Sequence, residues 1–176
     1  VFGEIRGAWA DYAVAKVERL AQKPQSLSFE EAATLPVAGI TALQGLRDVA
    51  KLRSGQRVLI NGASGGVGSF AVQIAKALGA EVSATSRAHK QGRLRDLGAD
   101  HLIDYEKRDF TQEKTRYDVI FDLVGNHSVG ANLAVLTKAG RYVSSSSNLG
   151  LVLRAGLYGL FSRRVALHAA KPKASD

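Results

Sequence analysis

The sequence contains no cysteine and no methionine, and only three of its 176 residues are proline and one is tryptophan. The absence of cysteine excludes disulfides, thiolate zinc sites and cysteine nucleophiles. Long apolar runs are also missing: Arg154 and three glycines interrupt the best candidate, Leu149 to Phe161, which falls short of the roughly 18 residues that span a bilayer. We therefore expect a soluble, cytoplasmic protein with no membrane partner.

The missing methionine also bears on completeness. The chain begins at Val1, and an apolar-rich chain of this size usually carries an internal methionine. We therefore expect this stretch to be a fragment of a longer product. A targeting peptide would lie upstream of Val1, so the sequence gives no information about one.

Positive charge is in excess, with 24 Lys and Arg against 16 Asp and Glu and a formal net charge of +8. The basic residues are scattered along the chain, and no aromatic-rich basic groove accompanies them, which favours a solvated surface over a nucleic-acid interface. A cofactor that carries several phosphates would also account for local positive charge. We expect no nucleic-acid partner.

Short β-branched runs alternate with amphipathic runs through most of the chain. The predicted strands are Val58–Ile60, Glu81–Ser86, His101–Asp104, Tyr117–Val124, Arg141–Ser145 and Arg164–Ala169. Between them, an amphipathic run that follows a glycine-rich turn and stops at Gly79 predicts a first helix, and further helices are predicted at Lys90 to Leu97 and Val129 to Lys138. One helix between successive strands implies right-handed crossovers, so the fold class is α/β, a doubly wound parallel six-stranded Rossmann sheet.

The first part of the chain has a different pattern. The alternation in Trp9–Val17 predicts short strands, which are too few to bury a core alone, so residues 1–27 are predicted to be the remnant of a β domain. A capping box of Ser28 and Glu31 then starts a helix that Pro36 splits, with a second helical stretch from Gly39 to Ala50. Residues 28–176 form the predicted sheet domain.

A glycine-rich turn follows the first predicted strand of the sheet. The fingerprint G-x-G-x-x-G aligns on residues 63–68, with Ala63 in place of the first glycine. Gly65 allows backbone to approach a pyrophosphate, Gly68 allows close packing of helix on strand, and the helix N-terminus favours negative charge. The predicted cofactor-binding residues here are Ser64, Gly65, Gly66, Val67 and Gly68. The alternative is an unoccupied structural turn.

The same turn also contains G-x-S-x-G, the nucleophile elbow of serine hydrolases, with Ser64 as nucleophile. Asp122 and His168 follow in the chain order which that fold uses. No HGGG-like oxyanion loop lies upstream, and His168 falls in a predicted strand. A serine hydrolase therefore stays open as an alternative, as does a non-catalytic dinucleotide-binding module.

The end of the second predicted sheet strand bears on which dinucleotide binds. NAD sites usually place an acidic residue there, whereas this chain has Ser86, Arg87 and Lys90. Hydroxyl and cationic groups suit a 2′-phosphate through charge-assisted hydrogen bonds. These residues predict NADP(H) as the cofactor.

Five stretches resemble the zinc-independent, zeta-crystallin-like quinone oxidoreductases of the medium-chain dehydrogenase/reductase superfamily. They are GAWADYAVAKVERLAQKP from residue 7, SFEEAATLPVAGITAL from 28, NGASGGVGSFAVQIAKALGA from 61, LGADHLIDY from 97 and YDVIFDLVG from 117. The resemblance implies a Rossmann domain beside a GroES-like catalytic domain, of which residues 1–27 would be the C-terminal remnant. It also implies hydride transfer from NADPH to a small quinone, enone or carbonyl substrate.

The resemblance further implies positions along the cofactor. Thr41, Ser144 and Ser145 would lie near the nicotinamide, Tyr105 near the adenosine, and Val124 and Gly125 along the ribose path. The catalytic residues stay unassigned, because the family keeps most of them in the other domain, and an inactive isolated chain is compatible with this. The four histidines lack metal-site spacing, so no metal is expected. A homodimer is compatible with the resemblance.

Overall fold

The computed structural model describes residues 1–5, 7–146, 150, 156, 162–171 and 173. The strands are β1 (Phe2–Gly3), β2 (Leu20–Ala21), β3 (Arg57–Asn61), β4 (Glu81–Ser86), β5 (His101–Asp104), β6 (Tyr117–Asp122), β7 (Leu136–Ser144) and β8 (Val165–Leu167). The α-helices are α1 (Phe29–Ala33), α2 (Ile40–Leu43), α3 (Gly66–Ala77), α4 (Gln91–Asp96) and α5 (Val129–Ala134). Short 3₁₀ turns lie at Val17–Arg19, Ala88–Lys90 and Phe110–Gln112.

Strands β3 to β8 form one sheet in the order β5-β4-β3-β6-β7-β8, and every pairing in it is parallel. The first strand of the sheet therefore lies in its interior, and the chain winds outward from it in two directions. A crevice opens where the winding reverses, at the carboxyl ends of the strands. The α/β fold with a six-stranded parallel Rossmann sheet is confirmed.

Both faces of the sheet are buried. Val58 and Ile60 pack on one face with Val72 of α3, whereas Leu59 and Ile120 belong to a second cluster on the opposite face. All five side chains are fully buried. A strand buried on both sides needs a continuous apolar run, which explains why β3 was recognisable from its sequence.

The helical run in front of the sheet begins with the predicted cap. The Ser28 hydroxyl accepts from the Glu31 amide at 3.1 Å, and the Glu31 carboxylate accepts from the Ser28 amide at 2.8 Å. As predicted, α1 ends just ahead of Pro36: its last residue is Ala33, and Pro36 lies at the start of a separate, wide π-helical turn, Leu35–Gly39. A second such turn, Gln44–Ala50, follows α2.

The alternating Trp9–Val17 stretch is not a strand, contrary to the prediction. In the described part of residues 1–27 the strand pairing joins β1 to β2, and Trp9, Tyr12 and Val14 are exposed. Alternation yields a strand only where a neighbouring strand offers hydrogen bonds and a face to cover, and no neighbour lies beside this stretch in the described residues.

Helix α5 is shorter than predicted. It ends at Ala134 because Leu136 already pairs with Tyr117 at the start of β7, where both side chains are buried. Gly140 lets the two strands approach, since a Cβ there would lie 2.9 Å from the Tyr117 carbonyl oxygen. A tertiary strand pairing has thus overridden a helical pattern.

The apolar stretch Leu149–Phe161 falls almost wholly outside the described residues. Across the parts of the chain that the structure describes, no helix combines the length and the apolar character needed to cross a membrane.

Candidate functional site

A cleft of about 550 Å³ lies at the carboxyl edge of the sheet, where β3, β4 and β6 end. Its lining residues are Asn61, Gly62, Ser64, Gly65, Gly66, Val67, Gly68, Thr85, Tyr105, Leu123, Val124 and Asn126. The glycine-rich turn between β3 and α3 forms one wall, and the turn that follows β6 forms the other. The cleft therefore lies at the position where open parallel sheets bind ligands.

Two glycines give the first wall its shape. Gly62 has a left-handed φ of 88°, which turns the chain sharply out of β3. A Cβ on Gly68 would lie 2.3 Å from the Gly62 carbonyl oxygen and 2.6 Å from Ala63 Cα, so only glycine lets α3 pack this closely on the turn. The packing role predicted for Gly68 has this geometric basis.

The N-terminus of α3 points into the cleft. Gly65 precedes the helix in extended conformation, and the first amides of a twelve-residue helix have no partner within it. No heavy atom lies closer than 3.5 Å to the Cβ positions of Gly65 and Gly66, so space is open beside these amides. Free amides with the positive end of a helix dipole form a site for a phosphate group.

A buried polar network lies beneath the cleft. Asp122 Oδ1 accepts from Asn61 Nδ2 at 2.9 Å, and its Oδ2 accepts from the Tyr142 hydroxyl at 2.7 Å. The Thr85 hydroxyl donates to Asn61 Oδ1 at 2.8 Å. Burial, together with the neighbouring carboxylate of Asp122, raises the pKa of Tyr142, so its hydroxyl keeps the proton that it donates. The network joins four adjacent strands.

At the far end of β4 the predicted cationic group is already paired. Arg87 Nε lies 3.1 Å from Glu106 Oε1, and both side chains are about half exposed. The Ser86 side chain is buried, and its hydroxyl donates to the Arg87 carbonyl at 3.2 Å. The sequence has no carboxylate at the end of β4, but Glu106 reaches this position from beyond the adjacent strand β5.

A second, smaller hollow of about 220 Å³ adjoins the glycine-rich turn. It is lined by Ser64, Ser69, His89, Lys90, Arg93, Leu94 and Leu97. Ser64 lines both spaces, so the cationic side chains of Lys90 and Arg93 lie next to the turn. Lys90 and Arg87 therefore face different surroundings, although the sequence placed them together.

The residues assigned to the nicotinamide end meet at His168 instead of in the cleft lining. His168 Nε2 lies 3.0 Å from the Thr41 carbonyl oxygen, its backbone amide donates to the Ser144 carbonyl at 2.8 Å, and the Ser145 hydroxyl donates to its carbonyl at 3.0 Å. Burial lowers the pKa of His168. Beside this cluster Gln44 exchanges two hydrogen bonds with the Lys171 backbone, at 2.8 and 2.9 Å.

The geometry does not assemble a serine triad. His168 Nε2 faces the Thr41 carbonyl, and no hydrogen bond among the described residues joins this ring to Ser64 or to Asp122. Both oxygens of Asp122 are directed at Asn61, Tyr142 and backbone amides. Among the residues that the structure describes, no group of three or more metal-ligating side chains comes together.

The cleft brings together seven of the predicted residues, Ser64 to Gly68 with Tyr105 and Val124. Gly125 lies just behind its wall, buried and with a left-handed φ of 73°. Sequence reasoning missed Asn61, Thr85 and Asn126, which are polar residues at or beyond strand ends. Their shared position at the carboxyl edge of β3, β4 and β6 was the available signal.

Comparison with known proteins agrees with this geometry. Residues 66–162 match the family model described as zinc-binding dehydrogenase. The chain is 40% identical over 142 residues to a 2-methylene-furan-3-one reductase from Solanum lycopersicum, covering 76% of this chain and 36% of that protein.

Two solved structures extend the comparison. The quinone oxidoreductase from Coxiella burnetii superposes with a TM-score of 0.78 at 32% identity, over 92% of this chain and 50% of that one. The CurK enoyl reductase superposes with a TM-score of 0.71 at 40% identity, over 76% and 42%. The chain thus spans half or less of the length of each of these proteins. It belongs to the zinc-binding dehydrogenase family, among the oxidoreductases of the medium-chain dehydrogenase/reductase superfamily.

Proposed function

We propose that this chain is the NADPH-binding part of a zinc-independent reductase that transfers hydride to an enone or quinone. The observation that carries the proposal is the cleft at the carboxyl edge of the sheet, with open space beside the free amides of α3. The relatives named as an enoyl reductase, a quinone oxidoreductase and a 2-methylene-furan-3-one reductase support the substrate class. Residues 1–27 would belong to the neighbouring catalytic domain.

The residues present fit a dinucleotide. The amides at the start of α3 would hold the pyrophosphate, because Gly65 and Gly66 leave room that a larger side chain would fill. The Val124 turn, opposite, would limit how far the ribose can shift. The nicotinamide ring supplies the hydride, and the contribution of this chain is to orient the cofactor and to exclude water from the cleft.

The choice of NADPH over NADH depends on the end of β4. Arg87 provides a cation for a 2′-phosphate at that end, and Lys90 lines the neighbouring hollow, but Glu106 offers a carboxylate beside Arg87. An ion pair between half-exposed side chains is worth at most about 1 kcal/mol, so a doubly charged phosphate can displace Glu106 from Arg87. These cations therefore favour NADPH, with Arg87 at the strand end and Lys90 beside the glycine-rich turn.

Isothermal titration of the chain with NADPH and with NADH tests the proposal. We expect both to bind and NADPH to bind more tightly. Folded protein that binds neither nucleotide would refute the proposal, whereas binding without hydride transfer in a full-length protein would leave a non-catalytic module.

Gly65→Val is the matched variant for this titration. Its Cβ would lie 3.5 Å from the nearest neighbouring atom, the Gly62 carbonyl oxygen, so the expected cost is that of a poorer N-cap, about 1 kcal/mol in the free energy of unfolding. The same side chain would occupy the position of the pyrophosphate, and the affinity for both nucleotides should fall at least about tenfold. Unchanged affinity would mean that nucleotides bind elsewhere.

A further inference from the structure

One buried carboxylate in this molecule has no place in the proposed chemistry. Asp122 lies at the end of β6, is fully buried and is absent from the cleft lining. Its Oδ1 accepts from three donors, the Asn61 side chain at 2.9 Å and the amides of Val124 and Gly125 at 3.0 Å each. With the Tyr142 hydroxyl on Oδ2, four hydrogen-bond donors converge on this one side chain.

The two backbone amides matter most, because they belong to the cleft wall. Val124 lines the cleft, and its Cγ2 atom lies only 2.7 Å from the position that a Cβ on Gly62 would take. The turn after β6 therefore packs directly against the glycine-rich turn. A shift of this turn would change the width of the cleft.

The other wall is tied to the same carboxylate through Asn61. Asn61 donates to Asp122 and to Asn126, and it accepts from the Thr85 hydroxyl. That hydroxyl in turn accepts from the Gly62 amide at 3.0 Å. A chain of hydrogen bonds thus connects both walls of the cleft beneath its floor.

We propose that Asp122 is a positioning residue: it holds the Val124–Gly125 turn at a fixed distance from the glycine-rich turn and so sets the cleft for the central part of the dinucleotide. The proposal rests on the proposed function for the identity of the ligand. The order of the turn in the free protein does not depend on which ligand binds, so the positioning role of Asp122 and the proposed function can fail separately.

Amide hydrogen exchange without any cofactor tests the order of the turn. In Asp122→Ala the amides of Val124 and Gly125 lose their acceptor, and their exchange should speed up at least about tenfold. The amide of Leu123 is an internal control, because it donates to the Asn61 backbone carbonyl at 3.1 Å and makes no hydrogen bond to the Asp122 side chain. Equal acceleration at all three amides, or none at any, would overturn the proposal.

A second variant serves if Asp122→Ala does not fold. Asp122→Asn keeps an acceptor for the turn, and its amide group can face Tyr142, whose hydroxyl can rotate to accept. A neutral amide oxygen is a weaker acceptor than a carboxylate, so exchange at Val124 and Gly125 should rise about threefold, again without a change at Leu123. If exchange at Val124 and Gly125 changed no more than exchange at Leu123, the proposal would be overturned.

Titration with NADPH and with 2′,5′-ADP tests the consequence for binding. β6 lies on one side of β3, and β4, which ends directly before Arg87, lies on the other. Asp122→Ala should therefore weaken NADPH about tenfold and 2′,5′-ADP less than about twofold, and Asp122→Asn should restore most of the NADPH affinity.

Ile120→Val is the control for general destabilisation, because Ile120 is buried on the same strand and packs in the cluster that contains Tyr142, but its apolar side chain makes no hydrogen bond to the network. The affinity of the Ile120→Val variant for NADPH and for 2′,5′-ADP should stay within about twofold of that of the unsubstituted chain. Equal weakening of both probes in Asp122→Ala would overturn the positioning role. A parent chain that binds neither probe would refute the proposed function, while the exchange result would still decide whether Asp122 orders the turn.

Discussion

Different interactions stabilise the two sides of the cleft: buried hydrogen bonds on one side and an exposed ion pair on the other. On the β6 side, Asn61, Asp122 and Tyr142 form a network that is shielded from solvent and fully hydrogen-bonded. On the β4 side, Arg87 and Glu106 form one ion pair between half-exposed side chains. Loss of one member of a buried network leaves its partner unsatisfied, at a cost of about 1–3 kcal/mol, whereas an exposed pair contributes at most about 1 kcal/mol.

This difference separates two tasks. Under the proposed function, the buried side and the glycine-rich turn would hold the parts that NADPH and NADH share, so changes there should weaken both nucleotides. The exposed side would face the 2′-phosphate that distinguishes NADPH from NADH, so changes there should alter preference without affecting the fold.

Gly68→Ala should have the largest effect. Its Cβ would meet backbone atoms at 2.3 and 2.6 Å, and backbone cannot yield as a side chain can, so we expect a loss of about 2–3 kcal/mol in the free energy of unfolding. Gly66→Ala is the matched control, since its Cβ would meet only Ala38 at 3.9 Å, and it should change that free energy by less than about 0.5 kcal/mol. Urea denaturation measures both. Similar losses would show that the close approach at Gly68 is not what limits this position.

Tyr142→Phe should cost about 1–2 kcal/mol, because it removes the donor to Asp122 Oδ2 and leaves that oxygen buried without a partner. Tyr12→Phe, at a tyrosine that is 93% exposed, should be neutral in the same urea titration. If the two variants were equally stable, the buried side of the cleft would depend on packing instead of hydrogen bonds.

Arg87→Ala should lower the affinity for NADPH about tenfold relative to NADH, which corresponds to roughly 1.4 kcal/mol, and should leave the unfolding transition in place. Arg116→Ala is the control. Arg116 directly precedes β6, so it lies at the amino ends of the strands, away from the cleft, and its side chain donates to backbone carbonyls of residues 113–115. Isothermal titration with both nucleotides gives the ratio. An unchanged ratio would assign the 2′-phosphate to Lys90 and the second hollow.

Glu106→Gln should have the smallest effect. Removal of the carboxylate frees Arg87, so NADPH affinity should rise about two- to threefold at low salt and less at high salt. Glu18→Gln, which alters another exposed pair with Lys16 at 3.9 Å, should change nothing. Weaker NADPH binding in Glu106→Gln would mean that the carboxylate holds Arg87 in place for the cofactor.

The parts of the fold that sequence could predict are those where local pattern and tertiary contacts agree. β4 and β5 have the bounds that their sequence predicted, because turn residues flank a run that is buried in the sheet. The prediction of strands in Trp9–Val17 was wrong, because no neighbouring strand lies beside this stretch in the part of the chain that the structure describes. The helix predicted at Val129–Lys138 was too long, because Leu136 pairs with Tyr117 in the sheet, a contact that no local pattern reveals.

The same reasoning applies to the cleft. The glycine-rich turn was visible because its geometry depends on the residues of the turn itself. Thr85 and Glu106 were missed because each acts through a partner on another strand, and polar residues at strand ends look like ordinary solvated positions in a sequence. Their partners are close in the sheet but more than fifteen residues away along the chain.

The pair of hydrogen bonds between Gln44 and Lys171 has a consequence for the order of folding. The two residues are 127 positions apart, and Thr41 and His168 make a parallel contact over the same separation. Contacts of such long range form only after most of the chain between them is organised, because closing so large a loop is entropically costly. The segment that contains His168 and Lys171 should therefore dock last and detach first, and Gln44 should govern how fast this segment detaches more than how fast the sheet folds.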